Sequence, residues 1–274
     1  MTGPNAYDLV ILGAGPAGEK AAAQAAYFRK KVLVVETEAE PGGAAVHTGT
    51  LPSKTLRETA LYLCGYHARE LYGVAVELDP SATLQHLMSR KLAIAEAESL
   101  AFRQNFERHH VEYARGYGRF VDKNTIAITS SAGERRVHGE FILIATGSKP
   151  HRPADMDFDD PCIHDSDEIL TIQSLPKSMV VLGGGVIGCE YACMFAALGS
   201  KITLVDARPE ILPFLDLEIV SRLRKAMQKL GVELVQNQRW KGVKRGPNGI
   251  QTELGDGRVL ETDQVLFAAG RSGR

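Results

Sequence analysis

Gly13-Ala14-Gly15-Pro16-Ala17-Gly18 sets three glycines at the spacing of a phosphate-holding turn, and Glu36 follows the third glycine by 18 positions. Each residue type has a physical job. Gly13 permits a tight turn, Gly15 leaves room for a pyrophosphate against the main chain, and Gly18 lets a helix pack closely on a strand. A helix following Pro16-Ala17 offers free N–H groups and about half a positive charge to the phosphates. Glu36 can accept hydrogen bonds from a ribose diol. The flanks support the same reading. Leu9–Leu12 is an apolar run of strand type, Glu19–Tyr27 is alanine-rich with strong helix propensity, and Val32–Val35 is a second apolar run ending on Glu36. The glycine spacing alone is weak evidence; within strand, turn, helix and strand it is a dinucleotide signature.

The unit occurs twice. A shift of 170 positions carries Gly13, Gly15, Gly18 and Glu36 onto Gly183, Gly185, Gly188 and Asp206 without a gap. Val186 and Ile187 fill the second turn, a helix runs to about Leu198, and Ile202–Val205 precedes the acid. Short strands with turns follow each copy, over Val111–Val137 and Val232–Leu260. Each copy closes with an apolar strand and a glycine: Phe141–Ile144 with Ala145-Thr146-Gly147, and Gln264–Phe267 with Ala268-Ala269-Gly270. The expected fold is α/β, with two tandem Rossmann-like FAD/NAD(P)-binding domains, each carrying a β-meander. The first covers residues 1–150, a polar, proline-bearing linker 151–175, and the second domain 176–274. Two such domains imply two nucleotides, and a flavin with a nicotinamide is the natural pair because hydride passes directly between those rings.

The remaining segments carry less chemistry. Leu84, Leu87, Met88, Leu92, Leu100 and Phe106 fall at roughly helical spacing, which predicts a long amphipathic packing helix over Leu84–His110. Asp165-Ser166-Asp167-Glu168 reads as a helix N-cap rather than a metal site. Cys189 and Cys193 read as buried packing, and no metal site is expected. The 274 residues carry a formal charge of −1, with 44% hydrophobic and 24% charged residues, so nothing points to nucleic acid or an anionic membrane. No stretch approaches the roughly 20 apolar residues of a membrane span. Four scattered cysteines, Cys64 among them, and no visible signal peptide make the cytoplasm the default expectation.

Between the two copies, Pro41-Gly42-Gly43-Ala44-Ala45-Val46-His47-Thr48-Gly49-Thr50-Leu51-Pro52-Ser53-Lys54 makes the likeness specific. With the glycine turns, Ala145-Thr146-Gly147, Gly188-Cys189-Glu190 and Ala268-Ala269-Gly270-Arg271, the chain resembles the class I pyridine nucleotide–disulfide oxidoreductases. The pattern from His47 to Lys54 most resembles the soluble, Si-specific NAD(P)⁺ transhydrogenases. The resemblance implies FAD in the first domain and NAD(H) or NADP(H) in the second, with hydride passing between NADPH and NAD⁺ through flavin. It places Gly42, Gly43, Thr48 and the backbone of Gly118 against FAD. It also places Lys54 near the reacting end of the flavin, paired with Glu190, and Gly270 and Arg271 in the closing signature of the nucleotide site. Family members carry two redox cysteines where this chain has Ala45 and Thr50, which can form neither thiolate nor disulfide. A dihydrolipoyl dehydrogenase-like activity is therefore disfavoured, whereas hydride exchange needs no sulfur. On the second acid, Asp206 favours the 2′-OH of NAD, while Arg208 can pair with the 2′-phosphate of NADP, so both are expected to bind with NAD(H) somewhat ahead. The resemblance covers essentially this whole chain but only the first part of a family member. It omits a returning strand with a Gly-Asp and the dimerisation domain, so the alternative is a truncated chain that binds nucleotides without turnover.

Overall fold

The computed structural model describes residues 5–63 and 80–274; Cys64 and residues 1–4 lie outside them. Two compact units form. One comprises the chain up to Pro52, Leu92–Lys149 and Gly273–Arg274; the other comprises Ser53–Lys91 and Pro150–Ser272.

In the first unit, β1 (Ala6–Leu12), α1 (Pro16–Tyr27) and β2 (Val32–Glu36) are the strand, helix and strand expected from the first glycine turn. The short helix α2 (Gly43–His47) follows; α3 (Thr50–Leu63) belongs to the second unit from Ser53 on, and α4 (Pro80–Arg108) returns to the first unit at Leu92 and leads to β3 (Glu112–Arg115). β4 (Tyr117–Phe120), β5 (Thr125–Ser130) and β6 (Gly133–Ile144) complete a six-stranded sheet in the order β3-β2-β1-β6-β5-β4. Alternation of side chains along each strand divides the core. Val10, Leu12, Leu33 and Val35 pack with Ile126 and Ile128 on one face. Ile11, Val32 and Val34 pack with Ala22 of α1 and Phe106 of α4 on the other.

Three features depart from the sequence expectation. The meander and the closing apolar strand are one continuous element: β6 pairs antiparallel with β5 over Gly133–His138 and parallel with β1 over His138–Ile144. Gly139 permits this, because a Cβ there would lie 2.8 Å from the Phe141 carbonyl oxygen and 3.0 Å from Val10 Cγ2. The apolar stripe of α4 is also discontinuous. Leu84 and Leu87 are buried in the second unit and Phe106 in the first, while Leu92 and Leu100 between them are exposed.

The third feature is the stretch 151–175, expected as a polar linker, part of which pairs into the second sheet. After the short strand β7 (Ser148–Pro150), β8 (Ile163–Asp165) enters the second sheet as an edge strand parallel to a later strand. Ile163, Ile169 and Leu170 are buried there, which is why this polar-looking stretch packs rather than swings. β9 (Ser178–Leu182), α5 (Val186–Ala197), β10 (Lys201–Val205), α6 (Leu217–Lys229) and β11 (Glu233–Val235) repeat the strand-and-helix alternation. β12 (Trp240–Arg245), β13 (Ile250–Leu254) and β14 (Val259–Thr262) form a separate antiparallel sheet before β15 (Gln264–Phe267). The parallel sheet has the order β11-β10-β9-β15-β8.

Candidate nucleotide-binding sites

Each unit builds its candidate site where an inner strand of its sheet, β1 or β9, gives way to a glycine turn. Gly13 has φ +110°, and a Cβ on it would fall 2.3 Å from the Ala145 carbonyl oxygen at the end of β6. A Cβ on Gly18 would fall 2.0 Å from the Gly13 carbonyl oxygen, so α1 and β1 approach as closely as the backbone allows. Gly15 is different. Its φ is −74°, which any residue adopts, and the nearest atom to an added Cβ is Gly43 Cα at 3.8 Å. Neither conformation nor packing within the protein calls for glycine there. The open backbone of Gly15, at the N-terminus of α1 before Pro16 and Ala17, therefore fits an approaching pyrophosphate.

The second turn repeats this arrangement. Gly183 has φ +114° and its Cβ would lie 2.8 Å from the Ala268 oxygen; a Cβ on Gly188 would lie 1.8 Å from the Gly183 oxygen. Gly185 caps α5 at φ −81° and would meet nothing within 4 Å, with Val186 exposed beside it and Ile187 packed on the core. The strand-end acids repeat as well. Buried Glu36 accepts the Ala14 N–H at 2.7 Å, and buried Asp206 accepts the Gly184 N–H, so each acid holds its own glycine turn. Burial opposes the charge on Asp206, but the Arg208 guanidinium and the N–H groups of Arg208 and Gly184 outweigh it and hold its carboxyl below the usual range.

Around the first turn, Gly42 (φ +119°) donates its N–H to the Ala14 carbonyl at 2.8 Å, and Gly43 (φ +56°) lies so close to Gly15 that a Cβ would come within 3.0 Å of its Cα. Thr48 caps α2 through its N–H to the Ala44 carbonyl. Two residues that the sequence did not single out for chemistry fix this loop: His47 Nε2 and Ser99 Oγ each lie 3.0 Å from the Pro41 carbonyl oxygen and donate to it. Ser99, on α4, gave no signal in sequence because a serine inside a helix carries none. Thr146 and Gly147 follow Ala145 and are exposed, with Thr146 Oγ1 bonded to the Arg274 carbonyl at 3.2 Å. Gly118 lies within β4, where a Cβ would meet Leu12 Cδ2 at 2.8 Å.

The protein-family model of the pyridine nucleotide-disulphide oxidoreductases matches residues 7–274. The chain belongs to that family. Among its relatives, the soluble pyridine nucleotide transhydrogenase of Mycobacterium bovis is 42% identical over 270 residues, which are 98% of this chain and 58% of that protein. The protein of the same name from Colwellia psychrerythraea is 36% identical over 97% of this chain and 57% of its own length. Among solved structures, the HOCl-induced flavoprotein disulfide reductase RclA from Escherichia coli, in a Cu(II) complex, has a TM-score of 0.84 at 27% identity, over 98% of this chain and 57% of that one. LpdA from Mycobacterium tuberculosis has a TM-score of 0.86 at 26% identity, over 96% and 58%. The chain thus spans less than two thirds of the length of these relatives.

Membership in the family implies FAD and NAD(P)(H), and the two open turns fit a dinucleotide each. Of the two positions that the resemblance assigned to redox cysteines, Ala45 lies in α2 and Thr50 opens α3. The expected pairing of Lys54 with Glu190 does not form: Glu190 Oε1 accepts from Ser53 Oγ at 3.2 Å, and Lys54 is exposed. Ser53 of α3 faces Glu190, and Lys54, about 100° further round the helix, is turned to solvent. Arg208, expected to pair with a 2′-phosphate, grips Asp206 here with Nε at 2.8 Å and Nη2 at 2.7 Å. Arg271 is likewise engaged, with Nη1 2.9 Å from Asp167 Oδ1 and 3.2 Å from Ser166 Oγ, beyond Gly270 at φ +130°. Asp165, rather than Asp167, does the capping: its Oδ1 accepts the N–H groups of Asp167 and Glu168 while Arg152 Nε binds Oδ2 at 2.7 Å. Among the described residues no group of three or more His, Cys, Asp or Glu could hold a metal, and no helix is long and apolar enough to cross a membrane.

Proposed function

We infer that the chain is the nucleotide-binding part of a flavin-dependent oxidoreductase that exchanges hydride between NADPH and NAD⁺ without a redox disulfide. Bound FAD would supply the two-electron carrier. The observation that carries this reading is the pair of open turns at Gly15 and Gly185, combined with residues free of sulfur at positions 45 and 50. The relatives named transhydrogenases agree with it.

In this reading the N–H groups of the first turn and of α1 bind the FAD pyrophosphate, and Glu36 orients its ribose. Gly42 and Gly43 keep side chains out of the space beside Gly15. Thr48, Thr146 and Gly147 complete the surround, and the backbone of Gly118 lies along the adenine half. The second turn, with Val186, Ile187 and Glu190, binds the nicotinamide nucleotide. Asp206 and Arg208 meet its ribose, and Gly270 and Arg271 close that side. Lys54 supplies positive charge toward the electron-rich reduced ring.

A second reading, a chain that binds nucleotides without turnover, is favoured by one observation. The Phe141–Ile144 end of β6 pairs only with β1, and its other edge has no strand among the described residues. One experiment separates the two. The visible spectrum of the FAD-reconstituted chain, recorded anaerobically, is expected to bleach with NADPH and recover on addition of NAD⁺. A chain that takes up FAD but stays yellow in NADPH would leave the second reading standing.

A further inference from the structure

The helices that lead into parallel strands, α1, α4, α5 and α6, end on one pattern. The N–H groups of Lys30, Val111, Ser200 and Val232 reach back to the carbonyls of Ala25, Phe106, Phe195 and Met227 within 3.2 Å. That closure sets the residue before each donor in the left-handed region, where glycine fits best. The second unit has glycine at both positions, Gly199 at φ +95° and Gly231 at φ +90°. The first unit has Arg29 at φ +58° and His110 at φ +53°. Side chains held there are strained. The helix dipole does not account for them, because a cation one turn earlier gains the same attraction without that conformation. The two strained turns are neighbours. Leu33 of β2 pairs with Glu112 of β3, and Val32, Phe106 and Val111 share one core cluster with Ala25 and Ala26. Arg29-Lys30-Lys31 and Arg108-His109-His110 therefore meet where β2 and β3 begin, at the end of the sheet away from the glycine turn.

The near-neutral total charge conceals this face. Arg29, Lys30, Lys31, Arg108 and His110 are all exposed, and Lys31 Nζ lies 4.5 Å from the centre of the Tyr7 ring. Against the four fixed cations stand Asp8, Glu107 and Glu112, and Glu112 is already paired with Arg135, so the face is net positive. Beside the cations, Tyr27 and Phe28 are 73% and 65% exposed, their rings edge to face with centroids 5.4 Å apart. We propose that this end of the first unit docks on an anionic lipid bilayer, with Tyr27 and Phe28 at the headgroup level and the cations against the phosphates. Cations flanking exposed aromatic rings suit a water–lipid boundary. Two adjacent turns offer neither a groove for a helix nor an open strand edge, the features by which proteins take up peptide segments. The glycine turn lies at the far end of β1, so docking leaves it open.

Co-sedimentation of the full chain with vesicles tests this. The chain is expected to pellet with vesicles of equal parts phosphatidylglycerol and phosphatidylcholine, and not with phosphatidylcholine alone. Binding should fall as salt rises, since charges are screened over about 10 Å at 0.1 M. Arg29→Gly removes the cation and suits the backbone, so its urea midpoint is expected to equal or exceed that of the wild type. Its affinity for the anionic vesicles should drop roughly fivefold, the weight of one cation near an anionic leaflet. Phe28→Ala, at an exposed position, should also weaken vesicle binding with the fold intact. Equal binding to both kinds of vesicle, or Arg29→Gly binding as tightly as the wild type, would overturn the proposal. A chain retained on heparin but absent from the vesicle pellet would overturn it as well, and would make a soluble polyanion the partner of this face.

Discussion

Glu190 lies on α5 two residues past Gly188, and its Oε1 accepts from Ser53 Oγ, so the residue beside the lysine rather than the lysine itself holds its carboxylate. Lys54 is left exposed. Its proposed part in the reaction is electrostatic, so Lys54→Ala is expected to slow flavin bleaching by NADPH roughly tenfold or more while changing NADPH affinity far less. Stopped-flow absorbance on the FAD-loaded chain reads both; an unchanged bleaching rate would remove Lys54 from the mechanism. A different outcome is expected at Cys189, which is buried behind the second turn with its Sγ 3.7 Å from the Gly184 carbonyl. Burial pushes its thiol up to about 12. At pH 8 the thiolate fraction is then on the order of 10⁻⁴, and native Cys189 should resist alkylation by iodoacetamide until the fold is opened. Peptide mapping of the alkylated protein checks this, and rapid labelling of native Cys189 would contradict its buried placement.

At the scale of elements, the glycine turns separate what packing requires from what a ligand requires. An added Cβ at Gly18 or Gly188 would strike a carbonyl oxygen of its own turn at 2.0 or 1.8 Å, and backbone cannot yield as a flexible side chain can. Gly18→Ala and Gly188→Ala are therefore expected to destabilise the fold by roughly 2 kcal/mol or more in urea denaturation. Gly15→Ala and Gly185→Ala should leave stability nearly unchanged and weaken nucleotide binding, since their Cβ would fill the space in front of the turn. If all four variants lost stability equally, the open turns would be structural rather than ligand-facing. The strand, turn, helix and acid of both units were legible in sequence because each step is enforced locally: apolar runs, glycines with fixed duties, an alanine-rich helix. What was not legible depends on distant partners. β8 takes its place only because β15 offers an edge, Ser99 matters only because α4 brings it to Pro41, and Arg208 is occupied only because Asp206 sits two residues away at a strand end. The length of β6 was hidden for a related reason: one strand changes partner from β5 to β1 at His138, and its residue pattern changes with it.

For the molecule as a whole, each unit has its own sheet and core, but the first sheet is not closed on one side of its central strand. Beyond His138, β6 has β1 on one side and no strand on the other among the described residues, and there Phe141 and Ile144 are 66% and 64% exposed. Unpaired backbone N–H and C=O groups next to exposed apolar side chains form a template for another strand. Relatives are longer than this chain, so the same edge is where additional chain would gain most by pairing. Without such a partner, the chain by itself is expected to associate with rising concentration through this edge. Phe141→Lys and Ile144→Lys place a charge where a docking strand must lie, and because both side chains are already exposed, the change in fold stability should stay within about 0.5 kcal/mol. Light scattering on a size-exclusion column, over a concentration series, is expected to show wild-type mass rising and the lysine variants staying monomeric. Equal association of all three at matched stability would place the sticky surface elsewhere, and the Phe141–Ile144 edge would then be tolerated by solvation alone.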